Sequence, residues 1–119
     1  MKTNKNYTAE TVLELTKDFP LEPMFTRVIV TLNQIVQDGE LVLASNALDE
    51  EQFVVSVGGT AQVKPGQKIL LDLTKLTKKI PDPTNTHTTI DSIFIETLTV
   101  DEVVYGIIYD NQIKCKFTK

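Results

Sequence analysis

The sequence predicts a mainly β protein, a small barrel or sandwich preceded by one short helix, and three observations lead there. From Phe25 onward, aliphatic and β-branched residues come in runs of five to eight, cut by glycine, proline or acidic residues, which is the pattern of short strands. Only Tyr7 to Phe19 carries helical spacing. The chain has 119 residues, enough for one domain with a real core and too few for two.

The helix rests on Val12, Leu15 and Phe19, which recur on one face behind Thr8, a good N-cap, with Glu10 in the first turn where the helix dipole favours a negative charge. Pro20 and Pro23 stop it, because proline lacks an amide donor and pushes the residue before it toward extended backbone. Strands are then expected at Thr26 to Leu32, Glu40 to Ser45, Gln52 to Val57, Lys68 to Leu73, Asp91 to Thr97, Val103 to Tyr109 and Gln112 to Thr118. Asp38-Gly39 between Ile35-Val36-Gln37 and Glu40-Leu41-Val42-Leu43 is a strong hairpin signal, since both turn residues need positive φ. That register sets Val36 opposite Leu41 and Ile35 opposite Val42. Leu73 to Thr89 turns polar and reads as a long surface loop with one helical turn at its start, since nothing in it offers burial for its backbone. In the last strand Ile113, Cys115 and Phe117 alternate with Lys114, Lys116 and Thr118, one face buried and one wet.

Composition narrows function before any motif does. Apolar residues make up 41% and charged residues 24%, a globular balance. Twelve Lys and Arg against sixteen Asp and Glu leave a net charge of −4, so no basic field exists to attract nucleic acid. A single cysteine points to a protein made in a reducing compartment and held by packing. No apolar run approaches the roughly 18 residues of a membrane span, and Lys2-Thr3-Asn4-Lys5-Asn6 has no leader-like segment behind it. A soluble, cytoplasmic product with no membrane partner is expected.

The chemical inventory is thin. His87 stands alone in a threonine-rich stretch and is expected to be a solvent-exposed loop residue. Cys115 falls on the apolar side of its strand and is expected to be a buried, inert thiol. Gly58-Gly59-Thr60 lacks the lysine and the helix of a phosphate loop and reads as a tight turn. Asp49-Glu50-Glu51 lacks the alternating spacing of a calcium loop and reads as a solvated turn. Lys75, Lys78 and Lys79 form a small basic spot of the kind wet helix faces carry. No catalytic residue, metal ligand or cofactor site is expected, and the chain is not expected to be an enzyme. What remains is Leu41-Val42-Leu43 beside an exposed turn, either an ordinary hairpin strand or a recognition segment for another protein.

The order of segments resembles the GroES family of co-chaperonins. Thr26-Arg27-Val28-Ile29-Val30 is similar to that family's first strand, Gly39-Glu40-Leu41-Val42-Leu43 to its Gly-Gly-Ile-Val-Leu loop, and Phe53-Val54-Val55-Ser56-Val57-Gly58 to its Glu-Val-Leu-Ala-Val-Gly strand. Val63-Lys64-Pro65-Gly66-Gln67-Lys68-Ile69-Leu70-Leu71 and Asp101-Glu102-Val103-Val104-Tyr105-Gly106-Ile107 resemble two later segments, in the family's order. The resemblance spans most of Phe25 to Tyr109. It implies a small irregular GroES-like β-barrel over residues 25–119, with residues 1–24 as an N-terminal extension. It further implies a homo-oligomer, a heptameric ring that caps a GroEL-like chaperonin through a flexible apolar loop, with Gly39, Leu41, Val42 and Leu43 as the partner-binding residues. Several features depart from the family. Glu40 replaces a glycine, the Asp38-Gly39 signal predicts an ordered hairpin, and Gly58 to Gln62 runs straight to Val63 without a roof hairpin. Residues 1–24, the stretch from Leu73 to Thr89 and the last strand have no family counterpart. That rebuilding is similar to phage-encoded versions of the fold, and it leaves a second expectation: an auxiliary virion protein binding capsid or tail proteins, found in the host cytoplasm or the particle.

Overall fold

The computed structural model describes residues 6–34, 36–37, 40–41, 48–82 and 84–118. Helix α1, Ala9–Lys17, starts where Thr8 caps it: the Thr8 hydroxyl accepts the Thr11 amide and the Thr11 hydroxyl accepts the Thr8 amide at 2.8 Å. This reciprocal cap satisfies two amides that the first turn leaves without partners. Val12 on its inner face is fully buried against Ile29, Phe53, Val55 and Tyr105, with Leu15 and Phe19 packed at the margin. Residues of the N-terminal segment therefore share a core with the strands.

The main sheet contains β1 (Arg27–Val30), β4 (Glu51–Val57), β5 (Lys68–Leu71), β8 (Glu96–Val100), β9 (Val103–Tyr109) and β10 (Ile113–Lys116), in the order β10-β5-β4-β1-β9-β8. Every pairing is antiparallel. Val28 and Val30 point to one buried cluster with Val54, Ile69, Leu71 and Ile108, while Ile29 points to the other, beneath α1. Both faces are covered, which is why Val28 to Val30 and Phe53 to Val55 read as unbroken apolar runs.

The sheet is rolled, and the chain itself proves it. β9 and β10 are joined only by the 3-10 turn Asp110–Gln112, yet β1, β4 and β5 lie between them. In a flat sheet they would stand four strand spacings apart, about 19 Å. Four residue steps at a 3-10 rise of about 2 Å cover only about 8 Å. β4 makes the corner, pairing Glu51 to Phe53 with β5 and Val54 to Val57 with β1. Main-chain bonds from Asp110 to the Thr26 carbonyl at 3.0 Å and from Asp72 to the Gln112 carbonyl at 2.9 Å close the seam.

Two hairpins stand outside this sheet. β2 (Val36–Gln37) and β3 (Glu40–Leu41) pair with each other, Val36 opposite Leu41 as the turn signal requires. Ile35, the turn at 38–39 and the rest of the strand expected to Ser45 lie outside the described residues. The second hairpin corrects the expectation of a long loop. After the helical turn α2, Leu73–Leu76, the chain forms β6 (Thr77–Asp82) and β7 (Asn85–Ile93), an antiparallel arm. A ladder satisfies its own backbone without burial, and the threonines and isoleucines that fill it favour extended structure. The strand expected at Asp91 to Thr97 is accordingly split between the end of β7 and the start of β8, with Phe94 held at the bend by its amide on the Leu76 carbonyl at 2.8 Å. No helix among the described residues is long and apolar enough to cross a membrane.

Candidate partner-binding loop

The four residues singled out by sequence, Gly39, Leu41, Val42 and Leu43, belong to the stretch that leaves the barrel after Gln34 and returns at Leu48. Leu41 is placed in β3; Gly39, Val42 and Leu43 lie outside the described residues. What the structure does define is the neck. Gln34 and Leu48 form an isolated antiparallel bridge, and the Asp49 amide donates to the Asn33 carbonyl at 2.9 Å. Asn33-Gln34 and Leu48-Asp49 thus meet at one point on the rolled sheet.

A buried glutamine holds that point. Gln52 is fully buried, and its carboxamide nitrogen donates to the carbonyls of Asn33 (2.8 Å) and Asp49 (2.7 Å). Its oxygen accepts the Asn33 amide at 2.7 Å and the Thr31 hydroxyl at 2.8 Å. All four hydrogen-bonding positions of the amide are used, and the strands on both sides of the neck are tied to one side chain. The N-terminal segment adds a second layer: Tyr7 and Asn33 exchange two bonds of 2.8 Å, and Asn6 and Gln34 exchange bonds of 3.1 and 2.9 Å. Sequence reading passed over Gln52, although a glutamine directly before the apolar run Phe53-Val54-Val55 is the place to look for a satisfied buried amide.

Beside the neck lies a cleft of about 640 Å³ whose lining includes Tyr7, Asn33, Asp49, Phe53, Lys68 and Phe117. Lys68 sits 4.9 Å from the Phe117 ring centroid and 3.3 Å from a Glu51 carboxylate oxygen. The acidic run is spent on local contacts, because Glu50 pairs with Lys114 and the Asp49 carboxylate accepts the Glu51 amide at 3.0 Å. Glu50, by its hydrogen bond and its charge, raises the Lys114 pKa above the ordinary lysine value. No group of three metal-ligating side chains occurs among the described residues. Lys75 reaches the Asn111 carbonyl at 2.7 Å and Lys78 lies 5.6 Å from the Phe94 ring centroid, so these lysines do not form one helix face.

Two expectations about single residues change. His87 is exposed, as expected, but on strand β7 rather than in a loop. Cys115 is exposed, not buried. Register shifts between Ile113 and Cys115, so the alternation that would have turned the thiol inward is broken by the irregularity. Gly58 is a turn glycine for a concrete reason: a Cβ there would stand 2.1 Å from the Phe25 carbonyl oxygen.

No protein-family model matches the chain, and no curated protein matches it either.

Proposed function

We propose that the chain is a co-chaperonin-like subunit that docks on a chaperonin ring through Leu41-Val42-Leu43 and helps cap its folding chamber. The observation that carries this reading is the clamped neck: Gln34 and Leu48 are bridged at a point held by Gln52 and Asn33, and among the described residues β2 and β3 pair only with each other. A rigid base with an apolar tripeptide beyond it is what a docking loop needs. Burial of three aliphatic side chains supplies about 1.5 to 3 kcal/mol each, against about 1 to 2 kcal/mol per residue ordered. One loop is a weak binder, and several on one ring gain about 10²- to 10⁴-fold in avidity. Avidity of that kind calls for a homo-oligomer, and the resemblance to the GroES family implies a heptamer.

The test is co-elution of the full chain with a purified bacterial chaperonin in the presence of nucleotide. Association is expected, and its loss in Val42→Glu with an unchanged folded spectrum. No association of the unaltered protein overturns the reading. A second reading, an auxiliary protein of a phage particle, is favoured by the β6–β7 arm, since a two-stranded ribbon is marginal in water until it lies on a neighbour. Co-purification with capsid or tail proteins, with no chaperonin binding, would select it.

A further inference from the structure

We infer that residues 6–19 form a strap whose seating on the rolled sheet controls the neck of the candidate loop: with helix α1 docked the neck is held, and with α1 lifted it loosens. The inference deepens the docking reading above, as regulation of its neck, and rests on that reading only where a chaperonin enters. The contact between strap and neck is reciprocal. The Asn6 carboxamide accepts the Gln34 amide at 2.9 Å and donates to the Gln34 carbonyl at 3.1 Å. The Asn33 carboxamide does the same for the main chain of Tyr7, both bonds being 2.8 Å. An amide side chain carries a donor and an acceptor side by side, so each asparagine stands in for a strand against the other segment's backbone. The neck's other edge is spent on Leu48 and Asp49, which leaves the Gln34 main chain to the strap.

Both ends of the strap close on one residue, Tyr105 of β9. Before α1 the Tyr7 hydroxyl meets that of Tyr105 at 3.0 Å, and after it the Phe19 ring meets the Tyr105 ring edge-on, 5.2 Å between centroids. Of the helix itself only Val12 is buried. Nine residues are too few for a helix to persist in water by itself, so α1 exists only while this grip holds. Asn6 and Tyr7 directly precede its cap, Thr8, and are placed against the neck by the same seating.

That seating is shallow. The cleft of about 640 Å³ reaches Tyr7, Thr8 and Ala9, and a second cavity of about 380 Å³ lies among Tyr7, Thr11, Glu14 and Leu15. β1, by contrast, is paired on both edges and buried on both faces. Segments with few buried apolar contacts open at lower free energy than the core, as cooperative units. The strap is such a unit, and Gln34 is the part of the neck that opens with it. Coupling of this kind runs both ways, so a partner that needs the neck held also seats α1 without touching it.

Native-state hydrogen exchange of the full chain, read by NMR over a urea series, tests this. The amides of Tyr7, Val12 and Gln34 are expected to share one opening free energy and one urea slope, both below those of Ile29. Val12→Ala is expected to speed exchange at all three strap and neck positions by one common factor, about tenfold or more for a truncated core side chain. Ile108→Val, in the other cluster, is expected to speed Ile29 about twofold to tenfold and to leave those three unchanged. Asn6→Ala, at an exposed position, is expected to speed Gln34 and not Val12. Exchange at Gln34 that ignores Val12→Ala, or strap amides that open only with Ile29, overturns the inference. Purified bacterial chaperonin with nucleotide is then added. Slower exchange at Val12 on binding, and weaker co-elution of Val12→Ala, are expected. Binding that leaves Val12 exchange unchanged overturns the control and keeps the docking reading. A shared opening with no chaperonin binding upholds the strap and sinks that reading.

Discussion

The carboxamide of Gln52 both accepts the Asn33 amide, at 2.7 Å, and donates to the Asn33 carbonyl, at 2.8 Å. One side chain thereby replaces a ladder pair at the point where the chain leaves the barrel. The same nitrogen reaches the Asp49 carbonyl on the returning strand, so departure and return are locked in register. Gln52→Leu keeps the approximate volume and strips every bond, leaving buried groups of Thr31, Asn33 and Asp49 short of partners. A loss of about 3 kcal/mol is expected in urea unfolding, because each unsatisfied buried group costs about 1 to 3 kcal/mol. Amide exchange at Asn33 and Asp49 is expected to rise more than at Val28, within β1. Equal acceleration at all three would show that the glutamine has no special hold on the neck.

The two adjacent glycines of the turn after β4 are expected to behave oppositely. Gly58→Ala sets a methyl against the Phe25 main chain, which cannot swing aside, and is expected to cost about 3 kcal/mol as an overpacking defect. Gly59 has open space around it, and Gly59→Ala is expected within about 0.5 kcal/mol of the parent. Denaturation midpoints of the two variants decide this, and a tolerated Gly58→Ala would refute the close approach.

Stability is expected to fall at alkaline pH through one buried phenol. Tyr105 lies in the cluster beneath α1 with its hydroxyl 3.0 Å from that of Tyr7, and burial, then the bond to Tyr7, raises its pKa above the ordinary value. An acid whose folded pKa is raised stabilises the fold fully while it stays neutral in both states. That contribution is present below about pH 10, the unfolded value, and declines as pH rises beyond it. Tyr105→Phe is expected to cost about 1 kcal/mol at pH 7 for the hydroxyl bond and to flatten the decline above pH 10 relative to the parent. Parallel curves for the two proteins would remove Tyr105 from the account.

Cys115 offers a quick check on the last strand. Its exposure predicts that the folded protein reacts with one equivalent of a maleimide at nearly the rate of the unfolded chain. Protection that vanishes only on unfolding would return the thiol to the buried face that simple alternation assigns.

The β-strands were legible where a residue type carried its own conformational preference. Val103 to Tyr109 appears at the expected bounds, Thr8 caps its helix, and the Asp38-Gly39 signal agrees with Val36 standing opposite Leu41. Alternation failed at Cys115 because a single register irregularity reverses which face a residue meets, and nothing local announces it. The arm from Thr77 to Ile93 was missed because burial was demanded of a segment that satisfies its backbone by pairing with itself. Of the candidate loop, sequence marked the apolar tripeptide and overlooked the amide that anchors its base.

By itself the sequence determined the β character, the helix cap and the tight turns, since each depends on dihedral preferences or hydrogen bonds spanning a few residues. Tertiary structure alone decided that β4 turns a corner between two partners, that Asp110–Gln112 draws the sheet into a roll, and that Phe25 is held outward under strain. Those features arise from contacts between residues tens of positions apart, such as the Gly58 backbone against Phe25 and Gln52 against Asn33, and no local pattern encodes a distance across the fold.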